Sequence, residues 1–330
     1  MTVPLSILDL AIVNEGATVR DALDASVAIA QLAEARGYRR VWYAEHHNMA
    51  SIASSATSVL IAHVAAHTNS IRLGAGGIML PNHAPLTIAE QFGTLATLHP
   101  DRIDLGLGRA PGTDQPTFRA LRRDPTASDA FPYDVLELQA FLGSESRIPG
   151  VRATPGAGTH VPLYILGSSL FGAQLAAMLG LSYAFASHFA PGALHEAIAL
   201  YRRDFAPSEQ LDAPHVIAGV NVVVADSDDA AADMLQQVMR ARMRRFIAPG
   251  HTLSDDAVDG LLRSGQGQHV VQMMQYTAAG TPPAVKDYLD GFAKEADADE
   301  LMVVHAAPTI ESRLRSVELV ADACGLTSSS

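Results

Sequence analysis

The strongest constraint in this sequence is an alternation. Eight short apolar runs, at residues 6–13, 38–44, 71–80, 102–109, 163–166, 182–188, 215–225 and 300–305, are separated mostly by stretches with helical spacing of apolar residues. Runs so rich in Val, Ile and Leu suit strands buried on both faces, as in a parallel sheet covered by helices. Eight such units over about 320 residues predict a single (β/α)8 barrel, with a doubly wound sheet and a second domain as the alternative architecture.

The punctuation between the runs agrees with this. Thr18 precedes a helix that Gly37 ends, Ser54 opens a second that runs to His67, and Pro85 begins a third carrying Ile88, Phe92, Leu95 and Leu98. Further helices are expected at 132–142, 171–179, 192–205, 228–246, 282–296 and 309–324. Residues 110–131 read as a long polar loop, and about 247–280 as an insertion before the last βα unit, with one short helix near 255–263. No linker divides the chain, so 1–330 is expected to be one domain with a disordered tail at about 327–330.

Charge and cysteine content narrow the function. With 35 acidic and 23 basic residues, a net charge of −12 and no long basic run, nucleic acid is not an expected partner. No apolar stretch reaches the roughly twenty residues of a membrane span, and the first ten residues lack the pattern of a secretory leader. The single cysteine, Cys324, cannot form an intrachain disulfide, and a cytoplasmic location is expected.

Chemistry in parallel α/β folds collects at the carboxyl ends of strands. The second run ends abruptly there: Val41-Trp42-Tyr43-Ala44 passes into Glu45-His46-His47. The grouping suits acid/base work, because imidazole titrates near neutrality, or metal binding; three polar residues in a solvated loop is the plainer but less favoured reading at the end of a barrel strand. His63 and His67 stand one helical turn apart, but the glutamate of a zinc HExxH motif is missing, and packing or surface histidines explain them better. No metal is expected.

Gly106-Leu107-Gly108-Arg109 follows a strand as a dinucleotide fingerprint does, yet it leads into a loop instead of a helix. Small residues there still let a flat ligand approach, and Arg109 can hold an anion. Gly167-Ser168-Ser169 lies between a strand and a helix start, where free backbone N–H groups and the helix dipole favour an anion; an ordinary serine cap is the plainer alternative. Gly76-Gly77 is either a packing device in its strand or a place where a ring lies against backbone.

Together these pieces resemble the bacterial luciferase-like, flavin-dependent monooxygenases over nearly the whole chain. The likeness is densest at residues 38–55 (YRRVWYAEHHNMASIASS), 71–91 (IRLGAGGIMLPNHAPLTIAEQ), 102–114 (RIDLGLGRAPGTD), 166–169 and 298–304. It implies a TIM barrel of the luciferase-like type that uses reduced FMN as co-substrate and dioxygen to oxygenate a small organic substrate through a peroxyflavin. A separate flavin reductase and assembly as a homodimer are implied as well. The deazaflavin-dependent oxidoreductases of related barrels, a non-catalytic flavin-binding protein and a metal-dependent hydrolase are the alternatives.

Carried over residue by residue, the resemblance makes His46 the proton-handling residue and Glu45 a flavin-positioning one. It implies a non-proline cis peptide at Gly76-Gly77 beneath the flavin ring, a phosphate contact at Arg109, and a phosphate loop at Gly167, Ser168 and Ser169. Two departures matter. The reactive cysteine of the luciferases is matched by Gly108, and a threonine of their phosphate loop by Phe171 or Gly172, so light emission is not expected. Arg122 or Arg123 is a possible second phosphate arginine, His83 and His188 are rim histidines without an assigned role, and the role of His47 stays open.

Overall fold

In the computed structural model, which describes residues 3–110, 114–124, 126–247, 253–265 and 267–327, the apolar runs form parallel strands. The first half of the order is β1 (Leu5–Asp9), α1 (Val19–Arg36), β2 (Arg40–Tyr43), α2 (Thr57–Ala65), β3 (Arg72–Met79), α3 (Pro85–Leu98), β4 (Ile103–Gly108), α4 (Gln115–Ala120) and α5 (Phe131–Leu142). It continues with β5 (Leu163–Gly167), α6 (Leu170–Leu179), β6 (Ser182–Phe185), α7 (Leu194–Asp204), β7 (Val216–Val224) and α8 (Asp228–Phe246). The remainder is α9 (Asp255–Arg263), α10 (Gln268–Met273), β8 (Thr277–Gly280), α11 (Pro282–Glu295), β9 (Glu300–His305) and α12 (Ile310–Cys324).

The sheet runs β6-β5-β4-β3-β2-β1-β9-β7, and β7 pairs back onto β6, closing eight parallel strands into a barrel. β8 is an addition rather than a stave. It pairs with Asn221 to Val224 of β7, beyond Ala218, the last β7 residue that β6 reaches. Thr18 and Asp21 form a capping box at the start of α1, and Gly37 ends that helix at φ 84°.

Local chemistry explains where the elements depart from the sequence expectations. The loop expected at 110–131 contains α4, because Asp114 caps it by accepting from the Thr117 N–H, and a 3-10 turn at Ala127–Ala130. The second helix starts at Thr57, not Ser54: the Ser54 hydroxyl turns inward and donates to the Ala44 carbonyl. The segment after residue 252 holds α9, α10 and β8 instead of one short helix. Residues 248–252, the tail residues 328–330, and Pro111, Gly112 and Thr113 of the glycine-arginine motif lie outside the described residues.

Alternation along the strands makes two cores. Outward residues such as Ile7, Val41, Leu73, Leu105, Ile165 and Val303 pack under the helices, while Leu8, Trp42, Ala44, Tyr164, Ile217 and Met302 fill the barrel interior. At the amino end the interior is ionic. The Arg40 guanidinium donates to Asp104 Oδ2 and the Tyr164 hydroxyl, each at 2.7 Å, and to Glu300 Oε2 at 3.1 Å. Arg72 and the Trp42 indole N–H also donate to Asp104. With that end closed by paired charge, only the carboxyl end is left to hold a ligand. No helix among the described residues is long and apolar enough to cross a membrane.

Candidate functional site

β2 delivers the ending on which the site is built. Its last residues are buried and hydrogen-bonded between β1 and β3, so the residues that follow emerge at the carboxyl mouth of the barrel. A cavity of about 1250 Å³ opens there. Small-molecule sites usually occupy about 300–1000 Å³, so this one has room for more than one ligand.

His46, Gly76, Gly77, Arg109, Gly167, Ser168 and Ser169 all line this cavity. Glu45 does not. Its carboxylate is buried behind the wall, where Oε1 accepts from Nε2 of both His47 and His83 at 2.8 Å and Oε2 accepts from the Met79 N–H at 3.2 Å. Burial pushes this carboxyl upward, but the two imidazole hydrogen bonds outweigh it and hold its pKa below the usual value. The same bond raises the pKa of His47. Glu45 thus braces three segments, the turn after β2, the end of β3 and the 3-10 turn Leu80–Asn82 that His83 follows, and reaches the cavity through His47.

His46 is treated differently by its surroundings. Burial lowers its pKa and its ring lines the cavity, while Nδ1 is buried and has no hydrogen-bond partner among the described residues. Such a ring can take up or pass on a proton. Glu45, His47 and His83 also bring their ligand atoms within 4.8 Å of one another, a spacing a metal ion can bridge. An ionised carboxylate only accepts, so both imidazoles must donate to it, and their hydrogen bonds already satisfy the group.

The peptide between Gly76 and Gly77 is cis, and the β3–β4 register breaks between Ala75 and Ile78, where these glycines lie. A Cβ at Gly77 would stand 2.6 Å from the Gly106 carbonyl oxygen, so a larger residue does not fit against β4. Bare backbone is therefore presented to the cavity, as a flat ring requires. At the neighbouring strand ends, the Arg109 guanidinium lies 4.2 Å over the Phe171 ring. Ser169 is the N-cap of α6 but its side chain makes no capping bond, leaving the first N–H groups of the helix for a ligand. Arginine, two exposed serines and a helix N-terminus meet the needs of a phosphate.

Some lining residues escaped the sequence reading. Phe171 positions Arg109, and His188, set aside there as a rim residue, is pushed down to a pKa of about 3 by burial, with Arg242 and His46 adding to the shift. Arg242 and Arg245 of α8 also face the cavity. The signal available was Arg240-Ala241-Arg242-Met243-Arg244-Arg245, a basic cluster in an acidic chain, whose plain explanation is charge complementarity at a helix C-terminus. Arg123 instead donates to the Asn82 carbonyl, and Arg122 is not among the cavity-lining residues.

The family model for luciferase-like monooxygenases matches residues 6–300. A protein of Escherichia coli strain K12 described as a luciferase-like monooxygenase is 46% identical over 324 residues, 97% of each chain. The N-acetyl-S-alkylcysteine monooxygenase of Bacillus subtilis strain 168 is 36% identical over 247 residues, 72% of this chain and 74% of the relative. Among solved structures, apo-MsnO8 superposes with a TM-score of 0.88 at 35% identity, covering 98% of this chain and 99% of its own. Two more distant structures share the fold at 16% and 17% identity with TM-scores of 0.71 and 0.68. They are the oxygenating constituent of 3,6-diketocamphane monooxygenase from Pseudomonas putida, in complex with FMN, and a coenzyme F420-dependent tetrahydromethanopterin reductase from Methanopyrus kandleri; each covers 97% of this chain, matching 97% and 98% of its own.

Proposed function

Because the chain belongs to the luciferase-like monooxygenase family, we propose that this oxidoreductase uses reduced FMN and dioxygen to oxygenate a small organic substrate. The observation that carries the cofactor assignment is the convergence of Arg109, the uncapped start of α6 and the Gly76-Gly77 backbone on one cavity. Arg109, Ser168, Ser169 and the α6 N–H groups would hold the phosphate, and the glycines would lie against the flavin ring. Bound reduced FMN supplies the electrons for activating dioxygen.

The protein's own contribution is then positioning and proton handling. His46, its pKa lowered by burial, exchanges a proton through the ring that lines the cavity. Glu45 keeps His47 and the end of β3 in place and acts as a positioning residue. The apolar interior of Trp42, Ile217 and Met302 limits water beneath the reacting groups. A separate reductase would deliver the reduced flavin.

Titration of the purified protein with FMN, reduced FMN, riboflavin and a deazaflavin tests this reading. Tighter binding of FMN than of riboflavin is expected, because only FMN carries the phosphate. Preferential binding of the deazaflavin overturns the cofactor assignment in favour of a hydride-transferring oxidoreductase.

A further inference from the structure

Four arginines follow one another along the last turns of α8, and their partners divide them into two pairs. Arg240 is neutralised by Asp255 at 2.8 Å and Asp259 at 2.6 Å, and Arg244 by Asp255 at 2.5 Å. Arg242 and Arg245 form no ion pair among the described residues, although both line the cavity. Arg242 donates to the neutral Asn221 Oδ1 at 2.7 Å, and Asn221 in turn donates to the His188 carbonyl at 2.8 Å. It is therefore held in place while keeping its whole charge. Burial lowers the pKa of both guanidiniums, Arg242 to about 10, the cost of taking a cation out of water without a counterion.

The acids that line the same cavity do not serve these two. Asp255 is taken by Arg240 and Arg244, Asp114 caps α4 and accepts from Asn48, and Glu15 is exposed. The pair also lies on the histidine side of the cavity: the charge of Arg245 acts on His46 and that of Arg242 on His188. Beside it, Phe189 and Phe246 are partly exposed with ring centroids 6.1 Å apart. A guanidinium pair beside an apolar ledge matches a ligand with an anionic head and an apolar body.

We infer that Arg242 and Arg245 form a substrate-recognition subsite for an organic monoanion, a carboxylate or sulfonate whose apolar part packs against Phe189 and Phe246. The anion would sit next to His46, separate from the phosphate contacts of Arg109. The inference rests on the monooxygenase reading for calling the ligand a substrate, while binding of the anion stands independently of FMN.

The test uses apo-protein and the fluorescence of Trp42, the chain's single tryptophan, which lines the cavity. Hexanoate and hexanesulfonate should bind at least tenfold more tightly than 1-hexanol. Arg245→Met should weaken hexanoate tenfold or more and leave hexanol within twofold, Arg245→Lys should retain most of the affinity, and Arg109→Ala should leave hexanoate unchanged. Equal binding of hexanoate and hexanol overturns the inference. So does loss of hexanoate binding in Arg109→Ala with none in Arg245→Met, or a weakened FMN affinity as the sole effect of Arg245→Met. Arg242→Met removes the Asn221 bond and can disturb folding, so the Arg245 variants, checked by thermal melting, decide. FMN titrations of the same proteins report the cofactor assignment separately.

Discussion

The guanidinium of Arg109, just past the end of β4, lies 4.2 Å over the ring of Phe171 in the first turn of α6. This contact fixes a long side chain beside a helix N-terminus before any ligand arrives, which lowers the ordering cost of binding an anion there.

Arg109→Ala is expected to weaken FMN by about 1.5–3 kcal/mol, roughly ten- to a hundredfold, through loss of a charge-assisted phosphate bond. Riboflavin, without the phosphate, should bind both proteins alike. Phe171→Leu should fall between, losing about 0.5–1 kcal/mol of ring contact. Calorimetric titration of the three proteins with both ligands measures this, and an unchanged FMN affinity in Arg109→Ala withdraws the phosphate role.

His46→Ala should keep FMN affinity within a few-fold and slow turnover by roughly 10²–10⁴, the usual scale of a general acid or base. Burial depresses the His46 pKa, so the neutral ring prevails at pH 7 and protonation sets in only as pH falls below about 6.5. The acid limb of the rate profile should therefore lie below that value in the parent protein and vanish in the variant. Turnover equal to the parent's removes His46 from the mechanism.

Glu45→Gln should cost about 2 kcal/mol near pH 5.5, since a buried acceptor for two imidazoles and a backbone N–H loses its charge. The lowered carboxyl pKa gives stability that is present above about pH 4.3 and lost as pH falls through the folded value. The raised His47 pKa gives stability present below about pH 6.5 and lost as pH rises through its folded value. The difference between parent and variant should thus peak between those limits and shrink on either side. Urea unfolding at three pH values reads it, and a pH-independent difference contradicts the pairing.

Asp104→Asn should destabilise the barrel by about 3–5 kcal/mol, because Arg40 and Arg72 lose a shared buried counterion. FMN affinity, set at the other end of the strands, should change less than twofold. A large loss of FMN binding in a folded variant would show that the two ends are coupled.

Much of this protein was legible in order. The apolar runs marked all eight barrel strands because strands buried on both faces need continuous apolar residues, and Thr18 and Gly37 bounded α1 through local capping. β8 was missed because Thr277–Gly280 is short and small, and pairs only because β7 extends beyond β6. The start of α2 was misplaced because Ser54, a good cap by type, has a partner ten residues back.

The sequence alone determined the barrel and the placing of polar endings on apolar strands, since both follow from local pattern and chain order. Which of those endings meet, and how each group is charged, only the tertiary structure decided. His46 and Glu45 are neighbours in the chain, yet one faces the cavity as a neutral ring and the other is sealed behind it as a carboxylate held by His47 and His83. Likewise Arg242 and Arg244 are the same residue type two positions apart on α8, which places them on different sides of the helix. One meets Asn221 and the other Asp255, and burial with or without a counterion is a property of the packed neighbours and not of the residue.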